Sequence, residues 1–326
     1  MCVENLFGGT TVMSFVNRPH HPRESMTPKD LQGRLRGVMA FTPTPFRQDG
    51  ALDADGLAAH VDYLIRSGAH VVVVCGGAGE FFSLEMDEYR TAIKTAADAA
   101  RRRVPVVAGI GYATRAAARL AEHAAAVGVD GLMIHPQYFV EAPDDGLARH
   151  YETLARAAGL GMLIYSTKAS PAGPSLVRRL AEIDEVIALK DEHGDLAAFT
   201  EMQRALGARL AWINGMAEMR APAYFAAGAQ AFTSGIVNFA PRITLAVWNA
   251  GAAGRADELQ DLIARKVRPL AQMRARHPGY PIAVVKEAMN LLGLPGGAVR
   301  LPLVPMAPED REELRRTLID LELLRP

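Results

Sequence analysis

Short apolar runs alternate with amphipathic stretches between residues 36 and 240, and this alternation constrains the fold more than any other feature of the sequence. The runs show little polar alternation, which predicts strands that are buried on both faces. They cover residues 38–42, 70–75, 104–108, 131–134, 161–165, 186–189, 210–213 and 229–233. The clearest helical stretches between them are 54–67, 85–102, 115–127 and 146–158, and Asp53 is placed to cap the first of these.

Eight strand–helix units in succession predict a parallel sheet closed into an α/β (β/α)8 TIM barrel. An open doubly wound sheet is the alternative, but its first unit should carry a glycine-rich nucleotide loop. Here the first run continues into "TPTPFRQDG", which is not a phosphate-binding loop. Beyond residue 240 the strand-like runs cease. The expected organisation is therefore a barrel over residues 36–240 and a C-terminal helical extension over residues 241–326.

The first 35 residues lack any sustained period and carry scattered proline, histidine and arginine. They also lack the basic start and apolar core of a secretion signal. We expect an irregular N-terminal extension over residues 1–35, or an arm that reaches a neighbouring subunit. The adjacent His20 and His21 form no larger cluster with strand-end residues, so we expect no metal site.

Composition excludes several classes of partner. The chain carries 36 basic and 36 acidic residues, so no net charge directs it to nucleic acid or to an anionic membrane. No apolar run reaches the roughly 18 residues that a membrane-spanning helix needs. Its cysteines are Cys2 and Cys75, too few for a disulfide framework, which favours a reducing, cytoplasmic location.

One lysine stands at the end of a predicted strand, in "EVIALKDEHGD". Active sites of TIM barrels lie at the carboxyl ends of the strands, which places Lys190 at the mouth of the barrel. A structural ion pair with Asp191, Glu192 or Asp195 is one interpretation. The other is a Schiff-base lysine, because burial lowers the pKa of an amine and a neutral amine attacks a ketone.

Two neighbouring features favour catalysis at this mouth. Tyr165 ends the preceding predicted strand, where a phenol can pass protons to and from the lysine. The loop "CGGAGEFFSL" brings backbone N–H groups together and can bind a carboxylate, although Glu80 within it favours a structural role. His135 and His193 also lie near strand ends, where a structural histidine is the commoner interpretation.

From about residue 36 to its end, the chain resembles the dihydrodipicolinate synthase/N-acetylneuraminate lyase superfamily of class I, Schiff-base aldolases. The resemblance is strongest to the 5-dehydro-4-deoxyglucarate dehydratases within it. The matching segments are "TPFRQDGALD", "GGAGEFFSL", "VAGIGYATRAA", "IYS", "ALKDEHGD", "TSGIVNFAP", "GYPIAVVKEAMNLLGL" and "VRLPLVPMAPED".

The resemblance implies a role for each matched residue. Lys190 would form an imine with a 2-keto acid, Tyr165 would shuttle protons, and Thr44 would belong to a hydroxyl relay to the tyrosine. The implied substrate-binding residues are Gly77 and Ala78, through their backbone amides, and Ser234 and Asn238 near the distal part of the substrate. Tyr112 would approach the site of a neighbouring subunit.

The implied reaction is the loss of water and carbon dioxide from 5-dehydro-4-deoxyglucarate, which gives 2,5-dioxopentanoate. It requires no metal or organic cofactor, and relatives are commonly homotetramers built as paired dimers. The substrate, a small 2-keto acid, is the expected partner.

The sequence departs from the family pattern at two places. Ala78 stands where the family usually has a hydroxyl residue, and Ser166-Thr167 stands where the dehydratases have a polar residue followed by arginine. Lys168 or Arg220 could supply the missing charge. Three alternatives therefore stay open: a retro-aldol lyase that releases pyruvate, a dihydrodipicolinate-synthase-like enzyme on pyruvate or another 2-keto acid, and a non-catalytic keto-acid-binding paralogue.

Overall fold

The computed structural model describes residues 26–136 and 141–326. Within them, eight parallel strands close into a barrel in chain order, as predicted. The strands are β1 Gly37–Phe41, β2 Val71–Val74, β3 Val106–Ile110, β4 Gly131–Ile134, β5 Gly161–Ser166, β6 Val186–Asp191, β7 Ala211–Asn214 and β8 Ala231–Ser234. β8 pairs with β1, with Val38 opposite Phe232, and this pairing closes the sheet.

Helices cover the outside of the barrel and extend beyond it. They are α1 Pro28–Arg34, α2 Ala54–Arg66, α3 Met86–Ala100, α4 Thr114–Ala126, α5 Asp144–Ala158, α6 Pro174–Leu180, α7 Leu196–Leu206, α8 Ala221–Ala226, α9 Pro241–Ala252, α10 Ala256–Leu262, α11 Arg268–Arg274, α12 Tyr280–Leu291 and α13 Pro308–Asp320. A π-helical turn, Ile263–Val267, joins α10 to α11. None of the helices in the described part of the chain is both long and apolar enough to span a membrane.

Local sequence explains where α2 begins and ends. Asp53 accepts a hydrogen bond from the backbone N–H of Gly56 at 3.0 Å, which caps the first turn as predicted. After the last turn, Gly68 adopts a left-handed φ of +97°, a conformation that glycine adopts at little cost.

Helix α1 corrects the expectation that residues 1–35 are irregular. Thr27 caps it, and Leu31 and Leu35 are fully buried in the barrel core. Leu31 packs where β4 and β5 begin with Gly131 and Gly161; a Cβ on these glycines would lie 2.3 Å and 3.1 Å from Leu31 Cδ2. Because these two strands begin with glycine, which has no side chain, there is room for Leu31 at the amino-terminal end of the barrel. Helix α1 therefore closes this end. Residues 1–25 lie outside the described residues.

The C-terminal helices pack against the barrel and reach its carboxyl end. Lys286 of α12 forms a buried ion pair with Glu80, in the loop after β2, and also donates to the carbonyl of Ala298 at 2.6 Å. The second oxygen of Glu80 accepts the backbone N–H of Arg300 at 2.9 Å. Glu80 thus fixes the loop after β2 to the helical region, which is the structural role that its sequence position favoured.

Candidate active site

A cavity of about 340 Å³ opens at the carboxyl ends of the strands. Its walls come from the loop after β2, the ends of β5, β6 and β8, and two helices of the C-terminal region. Five of the seven predicted site residues line this cavity: Lys190, Tyr165, Gly77, Ala78 and Ser234. The position agrees with the general placement of active sites in such barrels.

Lys190 is the next-to-last residue of β6, and its side chain is only 3% exposed. Its Nζ donates to Glu192 Oε2 at 2.6 Å and lies 3.3 Å from the centroid of the Tyr165 ring. Burial lowers the pKa of Lys190 to about 8, although the charge of Glu192 acts in the opposite direction. About a tenth of the amine is then neutral at pH 7, enough to begin attack on a carbonyl.

The three acids behind Lys190 in sequence have different partners. Asp191 accepts a hydrogen bond from the hydroxyl of Tyr224, and Asp195 caps α7 by accepting the N–H of Ala198 at 3.0 Å. Glu192 alone among them binds the lysine, and its side chain is 44% exposed towards the cavity. The ion pair considered from the sequence is therefore present, but it lies inside the cavity and not in the protein core.

Tyr165 lies directly beside Lys190, in register across β5 and β6. Its hydroxyl donates to Glu192 Oε2 at 2.6 Å, so one carboxylate oxygen accepts from both the phenol and the amine. Burial, the negative charge of Glu192 and this hydrogen bond all raise the pKa of Tyr165. The phenol is thus held protonated, and Glu192 connects it to the lysine.

The hydroxyl relay predicted from Thr44 to Tyr165 is not formed. Thr44 Oγ1 donates to the carbonyl of Gly79 at 2.7 Å, whereas the Tyr165 proton is directed to Glu192. Each hydroxyl has one proton to donate, so the two do not bond to each other. Thr44 instead supports the loop that carries Gly77 and Ala78, both of which line the cavity.

Ser234 and Asn238 were expected near the distal part of a substrate, and the structure separates them. Ser234 lines the cavity, yet its Oγ donates to Glu218 and accepts the N–H of Val237 at 2.9 Å. Asn238 is fully buried and does not line the cavity. Its amide nitrogen donates to the carbonyls of Phe41 and Gly235, each at 2.9 Å. The expected substrate contact of Asn238 is therefore corrected to a supporting role at the end of β1.

The other residues considered from the sequence lie around the site. Burial lowers the pKa of His135 to about 4, which keeps it neutral, and its Nε2 lies 3.3 Å from the carbonyl oxygen of Cys75. Tyr112 packs on Phe81 with ring centroids 4.9 Å apart. Lys168 and Arg220 do not line the cavity. No group of three or more histidine, cysteine, aspartate or glutamate residues in the described ranges is arranged to hold a metal ion.

Arg274 is a cavity residue that the sequence did not reveal. It ends α11, and its Nη2 lies 3.0 Å from where a Cβ of Gly235 would be. No sequence signal could have found it, because it is one of 30 arginines (36 basic residues less six lysines) and follows no strand. Only the packing of the helical region against the end of β8 brings it to the site.

Comparison with known proteins agrees with this geometry. The profile of the dihydrodipicolinate synthetase family matches residues 34–321. A protein of Azotobacter vinelandii named probable 5-dehydro-4-deoxyglucarate dehydratase is 36% identical, over 89% of this chain and 97% of its own length. A Streptomyces avermitilis protein named probable 5-dehydro-4-deoxyglucarate dehydratase 2 is 38% identical, over 88% of this chain and 87% of its own. The crystal structure of dihydrodipicolinate synthase from Oceanobacillus iheyensis superposes with a TM-score of 0.86 at 31% identity, covering 90% of this chain and 99% of that one.

Proposed function

Since the chain belongs to the dihydrodipicolinate synthetase family and is a lyase of that family, we propose that it forms an imine between Lys190 and a 2-keto sugar acid. The proposed reaction is the decarboxylating dehydration of 5-dehydro-4-deoxyglucarate to 2,5-dioxopentanoate. One observation carries the proposal: a buried lysine of lowered pKa opens into a cavity beside a protonated phenol and a shared carboxylate. The names of two relatives, each about a third identical to this chain, support the choice of substrate.

The chemistry balances without an outside oxidant or reductant. Lys190 adds to the ketone at C5 and water leaves, giving an iminium that acidifies the C4 protons. Loss of a C4 proton gives an enamine, which expels the C3 hydroxyl as water. The conjugated iminium then accepts the electrons that the C1 carboxylate releases as carbon dioxide. Protonation of the resulting dienamine and hydrolysis of the imine release 2,5-dioxopentanoate and the free lysine.

The side chains beside Lys190 can handle the protons of these steps. Glu192 takes a proton from the ammonium before attack, since its Oε2 already accepts that hydrogen bond at 2.6 Å. Tyr165 donates to the departing oxygen and recovers its proton through the same carboxylate oxygen. Backbone N–H groups at Gly77 and Ala78 bind the carboxylate next to the imine, and Ala78 contributes no hydroxyl to this path.

Borohydride trapping tests the proposal. The protein is reduced in the presence of pyruvate or 5-dehydro-4-deoxyglucarate, and peptide mass spectrometry locates the adduct while carbon dioxide is measured in parallel. We expect an adduct on Lys190, carbon dioxide from the sugar acid, and neither in Lys190→Ala. Lys168→Ala, which changes an exposed lysine outside the cavity, is the control and should keep full activity. An active Lys190→Ala variant would refute the proposal.

A second candidate function has its own support. The solved relative from Oceanobacillus iheyensis is named dihydrodipicolinate synthase, and Ser166-Thr167 lacks the arginine of the dehydratases. A lyase that cleaves a carbon–carbon bond to release pyruvate, or a synthase that condenses pyruvate, would form the same adduct but no carbon dioxide. A reduced adduct without any turnover would instead identify the keto-acid-binding paralogue.

We propose further that the protein works in the cytoplasm as a homotetramer. The large hydrophobic side chains that are exposed in the described ranges belong to two segments: Phe82 and Met86, and Leu301 and Val304. Arg300 joins the segments, since it donates to the carbonyl of Ser83 at 2.9 Å and to Glu88. Such a patch suits contact with a second copy. Sedimentation analysis tests it, and a monomer at micromolar concentration would contradict it.

A further inference from the structure

We infer that Arg274 determines specificity by binding the distal carboxylate of a dicarboxylate substrate. The inference deepens the proposed function and rests on it, since it names the end of the substrate opposite the imine. Arg274 would also replace the arginine that the dehydratases carry at the position of Ser166-Thr167, which this chain lacks.

The guanidinium of Arg274 is available for a ligand. Its Nε donates a long, 3.3 Å hydrogen bond to the carbonyl of Pro281, and its Nη atoms have no hydrogen-bond acceptor in the described part of the chain. Arg276, two residues further on, is in contrast bound by both Asp310 and Glu313. Arg300 is likewise occupied by Glu88 and two backbone carbonyls. Two adjacent N–H groups with no protein acceptor form the fork that binds a carboxylate with two hydrogen bonds.

The charges around the cavity favour an anion beside Arg274. The described residues that line it include two cations, Lys190 and Arg274, and one carboxylate, Glu192. The charge of the lysine, or of its imine, is balanced by Glu192 at 2.6 Å. Burial lowers the pKa of Arg274, and the charges of Glu218 and Glu192 oppose this effect, but neither carboxylate forms an ion pair with Arg274. Among the described residues that line the cavity, Arg274 is therefore the only cation left to bind a second carboxylate of the substrate.

The positions around the barrel suit a six-carbon diacid. Gly77 and Ala78 follow β2, Lys190 lies near the end of β6 on the opposite side, and Arg274 lies over Gly235 after β8. With the keto carbon at Lys190 and its carboxylate at the loop after β2, the rest of the substrate extends towards α11. The volume of about 340 Å³ leaves room for this extension, which pyruvate would not fill.

The test compares a diacid with its monoacid in two ways. Isothermal titration calorimetry uses glucarate and gluconate, which differ at one end and carry no ketone, so binding is measured without imine formation. Borohydride trapping uses 5-dehydro-4-deoxyglucarate and the counterpart in which a hydroxymethyl group replaces the distal carboxylate. The variants are Arg274→Gln and Arg274→Lys, with Arg268→Gln, exposed on the same helix, as the matched control.

We expect Arg274→Gln to weaken the diacids by about 10- to 100-fold, the usual effect of losing charged hydrogen bonds. The monoacids and pyruvate should change less than about threefold, and Arg274→Lys should recover part of the loss. The inference is overturned if the wild type does not prefer glucarate to gluconate, or if Arg274→Gln weakens both equally or neither. Failure to trap any keto acid on Lys190 would refute the proposed function separately, because the calorimetric comparison does not need the imine.

Discussion

Replacing Glu192 with glutamine should move imine formation to lower pH. In the wild type the negative charge of Glu192 stabilises the ammonium of Lys190 and so opposes the effect of burial on its pKa, which is about 8. Glu192→Gln removes that charge but keeps a side chain of the same shape. The pKa of Lys190 should therefore fall further, and the neutral, nucleophilic amine should be present at lower pH.

The size of the change follows from the 2.6 Å distance between Nζ and Oε2. Glu192 is 44% exposed, so water screens its charge, and at the dielectric constant of water two unit charges at this distance interact by about 1.6 kcal/mol. That energy corresponds to slightly more than one pKa unit at about 1.4 kcal/mol per unit. In a plot of the rate of imine formation against pH, the midpoint of the rise on the acid side should thus move from near pH 8 to near pH 7.

The assay is the rate of borohydride-trapped adduct on Lys190 with pyruvate, measured from about pH 5.5 to 9.5. Glu192→Gln removes a proton acceptor, which lowers the maximum rate of trapping, and it removes a charge, which moves the midpoint of the pH profile. The two effects are therefore measured separately. Glu192→Asp, which keeps the charge, should keep a midpoint closer to the wild type. An unchanged midpoint in Glu192→Gln, or one at higher pH, would refute the electrostatic coupling of these residues.

Two further predictions test the tyrosine and the buried ion pair. Tyr165→Phe should lower kcat on the keto sugar acid by about 10²- to 10⁴-fold while borohydride still traps the pyruvate adduct, since the phenol transfers protons and the amine forms the bond; loss of trapping as well would contradict this division. Lys286→Met should cost about 3–5 kcal/mol in urea unfolding, because it leaves Glu80 buried without its cation. Lys286→Met combined with Glu80→Gln should recover much of that loss, and an equal or greater loss in the double variant would argue against the pairing.

The barrel was predictable because its strands are buried on both faces and read as continuous apolar runs. The residues at which the strands begin and end were less predictable. The predicted third strand began at residue 104, whereas β3 begins at Val106, since Pro105 has no N–H to donate to the sheet. Helix α1 was missed because it has seven residues and buries only Leu31 within its length, too little to produce a period. Its place is set by Gly131 and Gly161, which lie 100 and 130 residues after Leu31 in the chain.

The candidate site was predictable where strand ends determine it and not elsewhere. Lys190 and Tyr165 end adjacent strands of the barrel, so their proximity follows from chain order. Glu192 was considered only as an ion-pair partner, because its position in the cavity depends on how the chain leaves β6. Arg274 is 84 residues further along the chain than Lys190 and reaches the site only because its helix docks there, and no local pattern encodes such a contact.

The absence of a hydroxyl at position 78 and the position of Glu192 are both explained by a proton path that runs through a carboxylate instead of a chain of hydroxyls. A relay of hydroxyl groups carries a proton only if each hydroxyl can pass its proton to the next. Ala78 has no hydroxyl, and the hydroxyl of Thr44 donates to the carbonyl of Gly79. Glu192 accepts from Tyr165 and Lys190 at once, so a single carboxylate oxygen connects the two groups that need to exchange a proton. That carboxylate balances the positive charge of Lys190, or of the imine that we propose it forms. Arg274 is then left as the cation for the second carboxylate of the proposed substrate, so the proton path and the binding of that carboxylate use separate charges of the same cavity.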